Sequence, residues 1–179
     1  MLTIELGNGY FLKEISAAEL KNILKNHHEK LFSNRADSKY VENLSSDEKE
    51  KVKSRAVIRW QLRVALFHND EPVGWHYGYA AEPDVYYMQN SAVLDSHRNK
   101  GLYSKMLASV LEYLKENAFQ VVTSLHHPNN PSVIIPKLKL GFVISSMLIH
   151  ERFRALIEMK YFFDPERKKY FDEQLGLVL

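Results

Sequence analysis

A change in hydrophobic period at Val57 constrains the fold of this chain more than any other feature. From there, apolar side chains alternate with mostly polar ones, and the apolar set is Ile58, Trp60, Leu62, Val64 and Leu66. A period of two is typical of a strand that buries one face. Two more strand-like runs follow near 72–80 and 85–94, separated by polar turns that contain proline. Residues 57–94 therefore predict an antiparallel meander of three strands.

The period becomes helical after Gly101. One apolar stripe includes Leu102, Met106, Val110 and Leu114, and it predicts a helix that ends near Asn117. The following run, FQVVTSL, is short and apolar, as is typical of a buried strand in parallel pairing. The meander is therefore followed by a helix and then by another strand.

The remaining segments complete a mixed α+β order. A second helix is predicted at about 131–140, ending at Gly141. Two strands, FVISSMLI and ALIEMKYFF, should then form a hairpin, and Asp164 with Pro165 should start a last helix. Before the meander, GYFLKEIS predicts a first strand, residues 17–32 predict an amphipathic helix, and Ser45 with Glu48 has the spacing of a capping box. We expect a twisted, mostly antiparallel central sheet flanked by helices.

Length and composition narrow the class of protein. The chain has 179 residues, a net charge of +2 and no cysteine. This length fits one domain over 1–179, and the balanced charge favours neither a nucleic-acid nor a membrane partner. Lack of cysteine excludes disulfides, thiolate nucleophiles and cysteine-ligated zinc. The start is a poor signal peptide and no segment has the roughly 18 apolar residues that span a bilayer, so we expect a cytoplasmic protein. We also expect no metal.

The turn HRNKG, at 97–101, joins the meander to the helix that follows Gly101. It is a candidate anion site. A helix that begins near Gly101 presents unpaired backbone N–H groups and roughly half a positive charge at that end. Gly101 has no Cβ to obstruct close approach, and Arg98 and Lys100 could add charge-assisted hydrogen bonds. The alternative is an ordinary basic turn that only contacts solvent.

This turn resembles motif A of the GNAT superfamily of acetyl-CoA-dependent N-acyltransferases, where Q/R-x-x-G-x-G/A opens the helix that holds the coenzyme pyrophosphate. Here the hexad runs from Arg98 to Tyr103, and Tyr103 stands where the family usually has Gly or Ala. That substitution places a bulky residue near the phosphates. A second resemblance covers NPSVIIPKLKLGF, in which Asn130 matches the family's asparagine and Lys137 its frequent tyrosine general acid.

The resemblance implies acetyl-CoA as coenzyme, bound by a core at about 57–163. A splayed strand, matched by Ala92, Val93 and Leu94, would offer backbone N–H groups to the thioester and pantetheine. Asn130 would bond the pantetheine arm. The loop and first helical turn would wrap the pyrophosphate, and the matching residues are Arg98, Asn99, Lys100, Gly101, Leu102, Tyr103 and Ser104.

The resemblance also implies direct attack of an amine on the thioester, which requires a neutral amine. The family often uses a strand glutamate as base, but the matching strand, YYMQNSAVL, has no carboxylate. The next candidates are His126 and Glu82; the alternative for His126 is a surface loop histidine. Lys137 could protonate the leaving thiolate if its pKa were lowered; the alternative is an exposed helix lysine.

The acceptor is the least specified part of the function. Aromatic side chains on the meander could line a pocket for an amine, although such residues usually form core or sheet face. The chain is therefore expected to acetylate a primary amine of a small molecule or of a protein or peptide, and a homodimer is a further expectation. Two alternatives stay open: an acyl-CoA-binding module of the same fold without turnover, and an interaction protein without coenzyme.

Overall fold

The computed structural model describes residues 2–32, 45–54, 58–174 and 176. The polar connector expected at 33–39 and the strand start expected at Val57 lie outside this range. Within it the secondary structure confirms a mixed α+β chain. The strands are β1 Thr3–Gly7, β2 Tyr10–Glu14, β3 Gln61–His68, β4 Glu71–Glu82, β5 Val85–Val93, β6 Val121–His126, β7 Val143–His150 and β8 Arg154–Phe162. The α-helices are α1 Ala17–Leu31, α2 Ser46–Ser54, α3 Leu102–Glu116, α4 Pro131–Lys139 and α5 Pro165–Gln174.

All eight of these strands form one sheet in the order β1-β2-β3-β4-β5-β6-β8-β7. Every neighbouring pair is antiparallel except β5 and β6, which are parallel. The connection between them is α3, as a parallel crossover requires. The predicted mostly antiparallel sheet and the predicted parallel strand after the first crossover helix are confirmed.

The amino-terminal strand prediction was incomplete, because the chain forms a hairpin rather than one strand. β1 pairs with β2 across a turn in which Gly7, Asn8 and Gly9 all have positive φ. Two glycines and an asparagine adopt that conformation at little steric cost, so they permit the tight reversal. The alternation of apolar and polar residues over Thr3–Gly7 is a strand pattern that the prediction did not use.

The expectation that Ile58 and Trp60 belong to the alternating strand was also wrong. Pairing of β3 with β4 begins at Gln61, opposite Tyr79, and Ile58 is fully exposed. Trp60 instead packs its ring against Tyr86 and neighbouring aromatic rings at the edge of the core. Trp60 keeps 41% of its surface exposed, and its carbonyl accepts a hydrogen bond from the Ala80 N–H at 2.9 Å, so the backbone hydrogen bonding of β3 with β4 continues one residue before the strand.

The sheet buries both of its faces. The larger core lies under α3 and α4, and α3 contributes Leu102, Met106, Leu107, Val110, Leu111 and Leu114 to it. The smaller core lies on the opposite face, where Leu20 and Ile23 of α1 pack near the fully buried Trp75. Burial of such apolar surface is the main stabilising term in folding. The helices are therefore fixed against the sheet on both sides of the β5–β6 junction.

Capping side chains set the starts of three helices. Ser16 and Glu19 form a reciprocal capping box on α1, and Ser45 and Glu48 do the same before α2. Asp164 accepts a hydrogen bond from the Glu166 amide at the start of α5. The capping box predicted from Ser45 and Glu48 is confirmed.

Candidate functional site

β5 and β6 are paired only at their amino-terminal ends. Their register consists of Val85–Val121, Tyr86–Val122 and Tyr87–Thr123. Beyond Tyr87 and Thr123 the two strands diverge, while β5 stays paired with β4 on its other side as far as Val93. We call this divergence the fork. It leaves one edge of β5 without a strand neighbour in the described part of the chain.

A bulge in β5 lies next to the fork. Tyr77 is opposite Asn90 and Gly78 is opposite Met88, so Gln89 is the extra residue. Gly78 permits this close approach, since a Cβ there would overlap the carbonyl oxygen of Tyr87 and the ring of Tyr86. The bulge sharpens the twist of β5 and turns its later residues away from β6.

The three amides predicted to meet the thioester do not all face the fork. The Leu94 N–H donates to the carbonyl of Val73 at 2.8 Å, so it is already used within the sheet. Successive amides of a strand point to opposite edges, and the Val93 N–H therefore faces the fork side. Ala92 is buried toward α1. Val93 is thus the best placed of the three as a donor.

The predicted anion turn has the backbone shape of a cradle. A 3₁₀ turn at Asp95–His97 is followed by Asn99 and Gly101, which both have positive φ. α3 then begins at Leu102, so the amides of its first turn have no partner inside the helix. A Cβ built on Gly101 meets no atom within 4 Å. The space in front of this helix end is therefore open, as a bound anion requires.

The basic side chains of the turn are held by protein contacts. Arg98 donates from Nε to the Val93 carbonyl at 3.1 Å and pairs with Asp95 at 2.8 Å. Lys100 donates from Nζ to the Tyr10 hydroxyl at 3.2 Å. Arg98 thus fastens the turn to the end of β5, and several further guanidinium donors remain for an anion.

A cluster of rings from β2, β3 and the turn surrounds the Tyr10 hydroxyl that Lys100 contacts, and no local sequence pattern indicates this cluster. The Tyr10 hydroxyl lies 3.0 Å from Nδ1 of His97, and the Tyr10 ring stacks on His68 with centroids 4.2 Å apart. Burial lowers the pKa of His97, and the charges of Lys100 and His68 lower it further. His97 is therefore held toward its neutral form beside the turn.

Tyr103 does not crowd the cradle as its bulk suggested. Its side chain packs against the larger core, and burial raises its pKa above the ordinary tyrosine value. The side chain of the second residue of a helix can point towards the protein core while the backbone N–H groups of the first helical turn still point away from the helix, along its axis. The backbone amides of Leu102, Tyr103 and Ser104 therefore keep their place at the open end of α3.

Asn130 lies at the start of α4, where it occupies the cap position. Its Oδ1 accepts a hydrogen bond from Ser132 at 2.7 Å, so its side-chain nitrogen is the group left to contact a ligand. Asn130 also lines the cleft described next, and its contact to an extended arm stays a prediction.

A cleft of about 750 Å³ opens at the fork. Its walls come from β4, β5, the end of β6, the β7–β8 turn and the end of α1. Polar and aromatic side chains dominate the lining, which includes His28, Glu29, Tyr77, Tyr79, Tyr87, Gln89, His126, His127, His150 and Arg152. This volume suits a small ligand or the end of a chain. His126, one of the two predicted catalytic residues, is therefore a cleft residue.

Lys137, the other predicted catalytic residue, is buried and not an exposed helix lysine. It is 1% exposed, and burial lowers its pKa to about 7. Its Nζ lies 2.6 Å from Ser124 Oγ, 3.4 Å from Met88 Sδ and 4.6 Å from the centre of the Phe142 ring. Met88 and Ser124 are the first residues of β5 and β6 beyond the last pair, so the ammonium group sits at the vertex of the fork.

Ser124 is a site residue that the sequence did not single out. It is fully buried, and its Oγ contacts both Lys137 Nζ and, at 3.0 Å, His126 Nε2. The two predicted residues are therefore joined by one hydroxyl. Ser124 and His126 are two residues apart on one strand and so share a face, a spacing that could have indicated the pair.

Glu82, the other residue considered for catalysis, and His76, a buried histidine of β4, both lie outside the cleft lining. Glu82 is exposed at the end of β4 and is absent from the cleft lining. His76 is buried, bonded to Ser91 and Tyr86, and burial followed by the Lys137 charge lowers its pKa to about 3. Among the described residues no group of three or more His, Asp or Glu side chains could hold a metal ion. Nor does any helix in the described ranges have the length and apolar character to cross a membrane.

Comparison with known proteins gives a consistent result. The sequence profile described as "Acetyltransferase (GNAT) family" matches residues 23–142, which is more than half of the chain. No curated protein matches the chain significantly.

Several solved structures share the fold. The ribosomal-protein-S18-alanine N-acetyltransferase from Escherichia coli is 14% identical, with a TM-score of 0.63 over 87% of this chain and 94% of that one. The spermidine N-acetyltransferase from Vibrio cholerae, solved with CoA and spermine, is 16% identical, with a TM-score of 0.64 over 87% and 96%. Naa50 from Arabidopsis thaliana, solved with a CoA-containing bisubstrate analogue, is 19% identical, with a TM-score of 0.64 over 87% and 99%.

Proposed function

Because this chain belongs to the GNAT family of acetyltransferases, we propose that it transfers an acetyl group from acetyl-CoA to a primary amine of a small molecule, protein or peptide by direct attack. The observation that most directly supports this proposal is the fork, which opens between β5 and β6 beside the cradle at the start of α3. A strand edge and a helix end together suit a ligand with an extended arm and a pyrophosphate. Acetyl-CoA would supply the thioester that is attacked.

The residues present fit this coenzyme. Gly101 leaves the end of α3 open, and the amides of Leu102, Tyr103 and Ser104 can bind phosphate oxygens. Asn99 shapes the turn through its positive φ, and Lys100 and Arg98 supply positive charge. Val93 offers a backbone donor at the fork, with the adjacent Ala92 and Leu94 holding the strand in register with β4.

The amine would bind in the cleft, where its nitrogen must lose a proton. His126 lines the cleft and is the group that we assign to accept this proton. Gln89 and Asn90, at the bulge, can orient the amine or a water but cannot take a proton at neutral pH. The mixed cleft lining, with Glu29 on one wall and tyrosines on another, is compatible with a cationic amine.

The structures described above include one enzyme named for a ribosomal protein and one named for spermidine. That range agrees with an amine acceptor but selects no member of the class. A homodimer and a cytoplasmic location remain predictions from the sequence.

Two measurements test the proposal. Acetyl-CoA should raise the melting temperature, because a ligand that binds only the folded state stabilises it by mass action. A thiol-release screen with polyamines, amino acids and peptides should then find an acceptor that liberates free CoA. Coenzyme binding without thiol release for any acceptor would favour the non-catalytic acyl-CoA-binding module, which the lack of a carboxylate in Val85–Val93 also favours. No melting shift at millimolar coenzyme would contradict both functions.

A further inference from the structure

The vertex of the fork contains a continuous chain of three side chains. Lys137 Nζ lies 2.6 Å from Ser124 Oγ, which lies 3.0 Å from His126 Nε2. Lys137 is buried and is not part of the cleft lining, whereas His126 is. The hydroxyl of Ser124 is thus a hydrogen-bond route between a buried amine and the cleft.

Other titratable groups lie near both ends of this row of three side chains. Around Lys137 Nζ lie a thioether and an aromatic ring, neither of which ionises. On β4, His76 interacts electrostatically with Lys137. His76 in turn bonds to Tyr86 of β5. The titratable and charged groups that share the cleft with His126 are His28, Glu29, Tyr77, Tyr79, Tyr87, His127, His150 and Arg152.

We propose that Ser124 couples Lys137 to His126, so that the three side chains hold one shared proton and Lys137 is a positioning residue for the base in the cleft. This inference rests on the proposed function, in which His126 accepts the proton of the amine. It adds a role for two buried residues that do not themselves line the cleft.

The coupling has two states. In the first, Lys137 is an ammonium that donates to Ser124 Oγ, so the serine proton must point to His126 Nε2, which accepts it. In the second, the serine proton has passed to Nε2, one proton of Lys137 has passed to Oγ, and Ser124 now donates to the neutral amine. Two protons each move by one hydrogen bond, which amounts to the transfer of one proton from Lys137 to His126, and the total charge of the three side chains stays the same.

Acetyl transfer makes this arrangement useful. The amine nitrogen loses one proton and the sulfur of CoA gains one, so the reaction consumes no proton overall. When Lys137 and His126 are both neutral, His126 can take the proton of the acceptor amine and pass it on through Ser124, which leaves Lys137 as the ammonium of the first state. Return of that proton to His126, and from there to the sulfur that leaves, restores the neutral side chains without exchange with bulk water. Burial brings the Lys137 pKa to about 7, near the ordinary range of histidine, so neither state is strongly disfavoured.

Side-chain NMR of the intact protein tests the coupling without any amine substrate. We would follow the Lys137 side-chain signals and the ring signals of His126 and His127 from pH 5 to 9, assigned with His126→Gln. The His126 signals should show an inflection at the midpoint of the Lys137 titration. Deprotonation of Lys137 reverses the direction in which the Ser124 hydroxyl donates its hydrogen bond, and this changes the surroundings of the His126 ring. His127 should show none. A wild-type His126 without this inflection would overturn the proposal.

Variants separate the hydroxyl route from a through-space effect. Ser124→Ala and Lys137→Met should both remove the inflection from His126, and Ser124→Thr, which keeps the hydroxyl, should retain it. Ser109→Ala is the matched control, since it also removes a buried serine hydroxyl but lies on α3. An inflection that persists in Ser124→Ala would contradict the role of Ser124. If Lys137→Met fails to fold, the wild type and the serine variants still decide the question.

Kinetics add a second test once an acceptor is known. Ser124→Ala and Lys137→Met should each lower kcat about tenfold or more, while the melting shift with acetyl-CoA persists. The double variant should be no worse than the poorer single variant, because both changes break one chain. Additive losses would overturn the coupling. Normal NMR coupling with no thiol release for any amine would instead reject the proposed function alone.

Discussion

Arg98 donates a hydrogen bond from Nε to the carbonyl oxygen of Val93, 3.1 Å away. This bond joins the turn that precedes α3 to the last residue of β5, so the cradle and the fork are held in one fixed relation. The same guanidinium pairs with Asp95. Arg98 is therefore a structural clamp as well as a source of positive charge.

Arg98→Ala should weaken acetyl-CoA binding about fivefold to tenfold, on the order of 1 kcal/mol, because a charge-assisted donor and the clamp are both lost. Lys100→Ala should weaken it less. Arg98→Lys keeps the charge and serves as the matched control for the clamp. Calorimetry at low and high salt checks this, and the wild type should lose more affinity with salt than Arg98→Ala. Equal affinity in all variants at low salt would show that these charges do not meet the coenzyme.

Gly101→Glu should abolish coenzyme binding and leave the protein folded. The added carboxylate would occupy the open space in front of α3 and repel phosphate. Gly176→Glu is the matched control, since Gly176 also has positive φ and open space around its Cα. Melting curves with and without acetyl-CoA measure both variants. A coenzyme-dependent shift in Gly101→Glu equal to that of the wild type would place the pyrophosphate elsewhere.

The stability of the protein should rise with pH between about 7 and about 10. Burial lowers the pKa of Lys137 from 10.5 to about 7, so over this window the unfolded chain binds the proton that the folded chain has released. Below about pH 7 both states are protonated, so the stability stops changing with pH and the burial of the charged Lys137 destabilises the fold by its full, constant amount. Lys137→Met should flatten this pH dependence of the free energy of unfolding.

Urea unfolding at pH 6, 8 and 10 measures the effect of Lys137→Met. Lys139→Met, a change at an exposed lysine of the same helix, is the control and should keep the wild-type slope. The prediction fails if Lys137→Met and the wild type show parallel pH profiles across the window.

Gly78→Ala should destabilise the fold by about 1 to 3 kcal/mol, because its Cβ would overlap backbone and ring atoms at the bulge. Gly101→Ala, whose Cβ meets no atom, should cost only the left-handed strain of roughly 1 kcal/mol. Thermal unfolding compares the two. A larger loss in Gly101→Ala would indicate that the bulge yields without strain.

Most of the fold could be predicted from local sequence patterns. The apolar stripe of α3, the short apolar run of β6 and the breaker Gly141 each act through neighbours in the chain, so their periods indicate the elements directly. The anion turn was predictable for the same reason, since a glycine before a helix sets local backbone geometry.

The chemistry at the vertex of the fork was less predictable. Lys137 is buried by Met88, Ser124 and Phe142, and two of these come from distant strands. No local pattern distinguishes such a lysine from one on a solvated helix face. The contact of Tyr10 with His97 could not be predicted from local patterns either, because the two residues are far apart in the sequence.

The short parallel register between β5 and β6 divides the sheet mechanically. β1–β5 form one leaf and β6–β8 another, and three residue pairs join them. Each leaf has long antiparallel ladders inside it, so a load applied across the sheet would separate the leaves at this seam before either leaf loses its own ladders. Amide exchange at Val121, whose N–H donates to the Asp84 carbonyl on the β5 side of the seam, would then report the opening of the seam.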